Sequence, residues 1–370
     1  MTRLFAGRRW VIALAVSVLT AGAGVAANGW MSPVTSKVVL STVGVDDSRL
    51  HLIGAWDRSI PGLAETINAG SSLRLRTAGD RLALSFDASM LQGKATIWVG
   101  TTLQKPQSGK QLSITKALWR EYDVTERVDV SSLLAGKGVH ELTVVVRDLP
   151  KNVAMWRSGG PALALRGVEV GSLTDLQTAG PAGLRMTFLG DSITAGVNQT
   201  GGDARLSFAY QTATALYADP TVIGFPGQGV VDPGSEGVPS AARTLGFLSA
   251  GVRSTAEDPD VVVVNYGAND AYLPGKQVEQ AFIEYLGQIR TLYPGAKLVV
   301  LRPFSGDQAA AVAGAVADRR KAGDVAITYV DTSGWVPTTL TTDGVHPTLR
   351  GHALAAERLA AVIKSLLPAG

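Results

Sequence analysis

The chain has no cysteine among its 370 residues. No disulfide can staple it, no thiolate can act as nucleophile and no cysteine-based metal site can form, so the core must hold by itself. Histidine is nearly as scarce. Only His51, His140, His346 and His352 are present, in no HExxH arrangement, so an imidazole base must be one of these four and a histidine-rich metal centre is not expected. A surplus of one charge is also lacking. The formal net charge is +3, and the first 27 residues contain Arg3, Arg8 and Arg9 with no acid or lysine, so the remainder is neutral. No basic field exists to collect nucleic acid or an anionic membrane surface. At 46% hydrophobic and 18% charged, the composition is that of a globular chain, long enough for two cores.

What is present begins with a leader. Three arginines precede the apolar stretch Trp10–Ala21, and small residues follow at Ala21-Gly22-Ala23 and Val25-Ala26-Ala27. That order is the layout of a secretory signal peptide over residues 1–27, which predicts an exported, periplasmic or extracellular protein. The alternative is an uncleaved anchor, since the apolar run could extend to Ala27. Arg8-Arg9 also hints at twin-arginine export, without the rest of that motif.

Beyond the leader the chain changes grammar midway. Across residues 37–172, runs such as Ser72–Arg76 and Leu82–Phe86 largely alternate, and Ala95–Val99, Glu141–Val146 and Ala162–Val170 add three more strands. Short strands with no helices between them predict an all-β sandwich or jelly roll. Gly180-Pro181-Ala182-Gly183 makes a linker. Over residues 183–368, strands at Arg185–Leu189, Thr221–Ile223, Val261–Tyr266, Lys297–Leu301 and Ala326–Val330 alternate with helices. The helices are expected at Ser207–Ala218, Ala241–Ser254, Val278–Tyr293, Asp307–Ala322 and Leu349–Leu367. This is α/β patterning, and the unalternating Val261–Val264 fits a central parallel strand covered on both faces. A ligand site is then expected at the carboxyl ends of the strands.

Three strand ends carry turn glycines with a polar group beside them. The first leads into Gly190-Asp191-Ser192, the second into Gly224-Phe225-Pro226-Gly227-Gln228-Gly229, and the third into Gly267-Ala268-Asn269-Asp270. Taken singly, Gly-Asp-Ser is equally a helix N-cap and Asn269 an Asx-turn. Together, the Ser192 and Gly227 N–H groups and the Asn269 amide could converge as an oxyanion hole. Asp343-Gly344-Val345-His346-Pro347 supplies the rest, because a serine hydroxyl needs an imidazole to take its proton and a carboxylate to hold that imidazole. Ser192, His346 and Asp343 are therefore the candidate catalytic residues. His352 is expected to be structural, and His51 and His140 to be surface or strand positions. Trp335, Phe225 and Tyr266 are candidate substrate-binding aromatics, with packing as the alternative.

Gly190-Asp191-Ser192, Gly227, Gly267-x-Asn269-Asp270 and Asp343-x-x-His346-Pro347 resemble, in order, the four blocks of the SGNH (GDSL-type) hydrolases, over about Leu184–Leu367. The resemblance implies a flavodoxin-like three-layer fold, no metal or other cofactor, and serine ester hydrolysis by the residues named. A preceding β-sandwich, with Leu206–Tyr210 and Gly227–Val231, is similar to carbohydrate esterase family two, the acetyl xylan esterase type. That narrower likeness implies an acetylated carbohydrate substrate and no membrane partner beyond the export signal. Two other readings are open. One is a lipase, thioesterase or acyltransferase using the same residues, and the other is a carbohydrate-binding protein with a vestigial hydrolase half.

Overall fold

The computed structural model describes residues 39–91, 93–105, 113–114, 117–149, 154–158, 162–196, 200–255 and 258–367; the expected leader lies outside the described residues. Alternating runs in the first half pair antiparallel. In chain order the strands are β1 (Ser41–Gly44), β2 (His51–Ile53), β3 (Ala64–Thr66), β4 (Ser72–Thr77), β5 (Leu82–Asp87) and β6 (Thr96–Lys105). They continue with β7 (Ser113–Ile114), β8 (Leu118–Asp123), β9 (Arg127–Asp129), β10 (Val139–Asp148), β11 (Leu163–Val170) and β12 (Leu176–Gln177), with a single helical turn α1 (Met155–Ser158). One sheet runs β1-β11-β5-β9 with β3 beside β11. The other runs β12-β4-β10-β6-β7 with β2 beside β4 and β8 beside β6. Leu73 and Leu75 of β4, Leu82 and Leu84 of β5, Ile97 and Val99 of β6 and Leu163 and Leu165 of β11 meet in one shared core. Alternation places every second side chain there, and each contributes about 1.5–3 kcal/mol over leaving it in water.

The second half is a parallel sheet of β13 (Leu184–Gly190), β14 (Ala218–Gly224), β17 (Val261–Asn265), β18 (Lys297–Leu301) and β19 (Ile327–Val330), interrupted in sequence by a hairpin of β15 (Phe247–Ser249) and β16 (Val252–Arg253). Its spatial order is β14-β13-β17-β18-β19, the flavodoxin-like order 2-1-3-4-5 when its strands are counted along the chain. Helices cover both faces. After the short α2 (Ser192–Ala195) come α3 (Phe208–Ala215), α4 (Ala241–Thr244), α5 (Gly275–Leu292), α6 (Ala309–Lys321) and α7 (Leu349–Leu366). In α5, Val278, Phe282, Tyr285, Leu286 and Ile289 recur at helical spacing and pack with α6 onto Val262 and Val264. Val261 and Val263 point the other way, toward α3 and α7. All five residues of β17 are buried, as a run of β-branched side chains without alternation predicts.

One expected helix is overturned. Ala241–Ser254 is helical only over Ala241–Thr244, and the rest is the β15–β16 hairpin. Gly246 (φ +79°) and Gly251 (φ +76°) take the left-handed conformation that stops a helix and turns a chain. The helix expected to reach Ala218 ends at Ala215, and Ala218 already starts β14.

The two sets of sheets touch. Asp219 at the start of β14 pairs with His51 Nε2 of β2 (2.9 Å), and accepts from Arg74 Nη2 of β4 (2.8 Å) and from the Ala182 N–H (2.8 Å). Burial alone would push its carboxyl up, but these three donors outweigh burial and hold it below the usual range. Phe225 and Val238, after β14, pack with Ala55, Ile67 and Met155 in a small apolar cluster. The loop that follows β14 is thereby fixed against the first half.

Candidate active site

The strand order reverses between β13 and β17, and a crevice opens outside the carboxyl ends of such strands. Both strands end in motif residues. Gly190 closes β13, where a Cβ would collide with the Thr194 side chain and the Asn265 carbonyl, so only glycine permits the exit. Asp191 then caps α2, its Oδ1 accepting from the Ile193 N–H at 2.9 Å, and Ser192 is the first residue of that turn. Asp191 meets the N-cap reading of Gly-Asp-Ser, which leaves Ser192 without a capping role.

Ser192 Oγ lies 2.8 Å from His346 Nε2, although the two are 154 residues apart. On the far side of the ring, His346 Nδ1 is 2.6 Å from Asp343 Oδ2. A carboxylate accepts only, so Nδ1 carries the proton and Nε2 presents its lone pair to the serine hydroxyl. The loop holding this pair is folded on itself. Asp343 Oδ1 accepts from the Val345 N–H (3.0 Å) and the His346 N–H (2.8 Å), and Gly344 turns the chain at φ +86°. These donors, the His346 N–H first and its ring next, hold the Asp343 carboxyl at about 2 against a small opposing effect of burial. The Asp343 side chain is 51% exposed and His346 20%, so water reaches the carboxylate but little of the imidazole. Pro347 and Thr348 lead into α7, where Thr348 caps by accepting from the Gly351 N–H at 3.2 Å.

The second and third strand ends approach the first. Asn269 Nδ2 donates to Asp191 Oδ2 at 3.2 Å and to the Gln228 carbonyl at 3.1 Å, joining the segments after β13, β14 and β17. Gly227 stands in the turn after β14 at φ +75°, and its carbonyl accepts from the Ser235 N–H. That turn is strapped down by Asp270, whose carboxylate accepts from the Val230 (3.0 Å) and Val231 (3.1 Å) N–H groups, while burial pushes its carboxyl up. With the Asn269 amide aimed into this corner, Asn269→Ala is expected to lower kcat by about 10²–10³-fold with KM little changed. Steady-state hydrolysis of an aryl acetate checks it, and an unaltered kcat would remove Asn269 from the site.

Two expected substrate-binding residues are corrected. Tyr266 is buried, its hydroxyl donates to Gln228 Oε1 at 2.8 Å, and its ring meets Tyr285 edge-on at 5.7 Å. Phe225 is buried against Trp156 at 5.6 Å in the cluster that joins the two halves. Both positions follow a sheet strand, where apolar aromatics turn inward to fill the core. Trp335 is half-buried and packs on the core beneath α3 and α7, as does Val345 of the 343–347 loop. The other histidines are structural. His352 Nδ1 accepts from the Phe208 N–H at 3.1 Å, its ring stacks on Phe208, and burial lowers its pKa to about 4, so it stays neutral. His140 is buried on β10, and His51 holds Asp219.

Asp191, Gln228 and Asp270 carry much of the site's hydrogen bonding without having been singled out from the sequence. The available signal was an acid or amide inside the glycine-bearing turn after a sheet strand, where a buried polar group must be partnered.

A serine, an imidazole and a carboxylate stand in line at the switch point of a 2-1-3-4-5 sheet, the arrangement by which serine hydrolases activate their nucleophile. Residues 188–354 match the GDSL-like Lipase/Acylhydrolase family, in keeping with the four motif blocks. Over 322 residues the chain is 24% identical to the cellulase/esterase CelE of Acetivibrio thermocellus, a match covering 76% of this chain and 39% of that protein. The chain thus spans well under half the length of that curated relative. Among solved structures it is similar to a family two carbohydrate esterase from Clostridium thermocellum in complex with cellohexaose. That likeness has a TM-score of 0.66 and 21% identity, and covers 86% of this chain and 98% of that one. It is also similar to the acetyl xylan esterase Est2A from Butyrivibrio proteoclasticus, with a TM-score of 0.66, 16% identity, and 89% of this chain and 98% of that one covered. At these identities the structural likenesses establish the fold.

Proposed function

We propose that the chain is a serine esterase that hydrolyses short acyl esters, above all O-acetyl groups on a carbohydrate. The observation that carries the reading is the unbroken line Ser192 Oγ–His346 Nε2 (2.8 Å) and His346 Nδ1–Asp343 Oδ2 (2.6 Å) at the sheet's switch point. Ser192 Oγ attacks the acyl carbon while its proton passes to His346 Nε2, and Asp343 stabilises the imidazolium that forms. The carbonyl π-electrons move to oxygen, where the N–H groups of Ser192 and Gly227 and the Asn269 amide accept the developing charge as donors. Collapse expels the sugar alkoxide, which takes the proton back from the imidazolium. Water, deprotonated by His346 in turn, releases the acid and restores Ser192.

The substrate class is argued from the neighbours, a cellulase/esterase, a carbohydrate esterase that binds cellohexaose and an acetyl xylan esterase. In this reading residues 37–172 form an accessory β domain, residues 183–368 the catalytic domain, and residues 1–27 direct export. A chain-length series of aryl esters and a panel of acetylated polysaccharides test it. Turnover is expected to be sharply greatest with acetate, with acetate released from at least one polymer. A rise in kcat/KM toward octanoate, with no acetate released, would replace it with a lipid substrate.

A further inference from the structure

Asp191 takes no part in the proton transfers between Ser192, His346 and Asp343, yet it is 1% exposed and directly precedes the nucleophile. Its two oxygens meet two N–H donors. Oδ1 accepts from Ile193 at 2.9 Å, and Oδ2 accepts from the Asn269 amide at 3.2 Å. The other hydrogen bond of that amide goes to the Gln228 carbonyl at 3.1 Å. An amide nitrogen has two hydrogens, and both are engaged, one by an acceptor after β13 and one after β14; these two set the plane of the Asn269 side chain, and an oxyanion must share one of the two hydrogens as a three-centre bond. A protonated carboxyl serves both donors less well, because the proton removes the negative charge and takes up one acceptor position, so the hold on the amide weakens.

We propose that Asp191 is a positioning residue, its ionised carboxylate fixing the Asn269 amide where the oxyanion forms, and that protonating it releases the amide and weakens the oxyanion cradle. The proposal rests on the esterase reading above. Burial pushes the Asp191 carboxyl up to about 7, and Asp270 adds to the push while the Ile193 N–H and His346 pull it back. The ionisable groups facing it are His346 from the 343–347 loop, Asp270 from the turn after β17, and Tyr266 at the end of that strand. Tyr266 is held well above its ordinary value by burial first and its neighbours next, so it does not titrate across neutrality. A carboxyl raised to about 7 is ionised above that pH and protonated below it, so positioning is lost as pH falls through neutrality. Loss of that positioning therefore contributes an ionisation to the acidic limb of kcat.

Asp191→Asn keeps the shape and the N-cap acceptor, abolishes the charge and sets an amide against the Asn269 amide. Relative to the wild type, kcat is expected to fall about 10–100-fold with KM within about twofold, and the acidic limb to lose one ionisation. A wild-type kcat and an unchanged acidic limb, alongside an inactive Ser192→Ala control, would overturn the proposal alone. An active Ser192→Ala would instead bring down the esterase reading and this proposal with it. Should Asp191→Asn fail to fold, the Asn269 side-chain amide resonances can be followed by NMR in the Ser192→Ala chain as pH crosses neutrality. Their shift across neutrality is expected, and resonances that do not move would overturn the proposal.

Discussion

Ser192→Ala should lower kcat for an aryl acetate by about 10⁴–10⁶-fold, leaving only what the oxyanion donors and binding provide over water. The size follows from the geometry. Among the described residues, the Ser192 hydroxyl is the one placed 2.8 Å from an imidazole already held by a carboxylate, so its removal takes away the activated nucleophile. The side chain is small and half-buried and Asp191, not Ser192, caps α2, so the fold should be untouched. Steady-state kinetics with circular dichroism and a melting curve check both halves of the statement. Retained turnover in a folded variant would place the chemistry elsewhere.

His346→Ala should cost about as much, roughly 10⁴–10⁶-fold, because without the base the hydroxyl stays protonated and the leaving alcohol receives no proton. The two losses should not add. Residues that act as one unit share a single loss, so the double variant Ser192→Ala/His346→Ala should match either single variant within a few-fold. Measured kcat values for all three chains test this. A double variant slower by the product of the two single losses would mean that Ser192 and His346 serve separate steps. His346 is the informative choice over Asp343, whose carboxylate is 51% exposed, so that water can take part of its place as acceptor to the ring.

Much of this site could be read from the chain, and the reasons are local. Ser192, Asn269 and His346 each follow an apolar strand or precede an amphipathic helix, where short-range rules place a residue at the sheet's carboxyl edge. The four valines of β17 announced a central strand for the same reason. What escaped depends on orientation in space. Phe225 and Tyr266 adjoin oxyanion residues in sequence, yet alternate side chains at a strand end point to opposite faces, and both enter the core. The hairpin after Ala241 was hidden because Phe247, Leu248 and Val252 carry helix-like apolar spacing, and only the left-handed conformation of Gly246 and Gly251 turns that segment back. The role of Asp191 was hidden by its own motif. It stands beside the expected nucleophile, and only the distance to Asn269 shows what its second oxygen holds. The contact between the halves through His51, Arg74 and Asp219 has no local signature, since it joins strands far apart in sequence through side-chain hydrogen bonds.

The central claim is that one hydroxyl is activated by one imidazole. Incubation of the full chain with a serine-directed phosphonate, followed by peptide mass spectrometry, tests it most directly. A single stoichiometric adduct on Ser192, formed rapidly by the wild type and almost not at all by His346→Ala, is the predicted result. An adduct on another residue, or equal labelling of Ser192 in both chains, would contradict it.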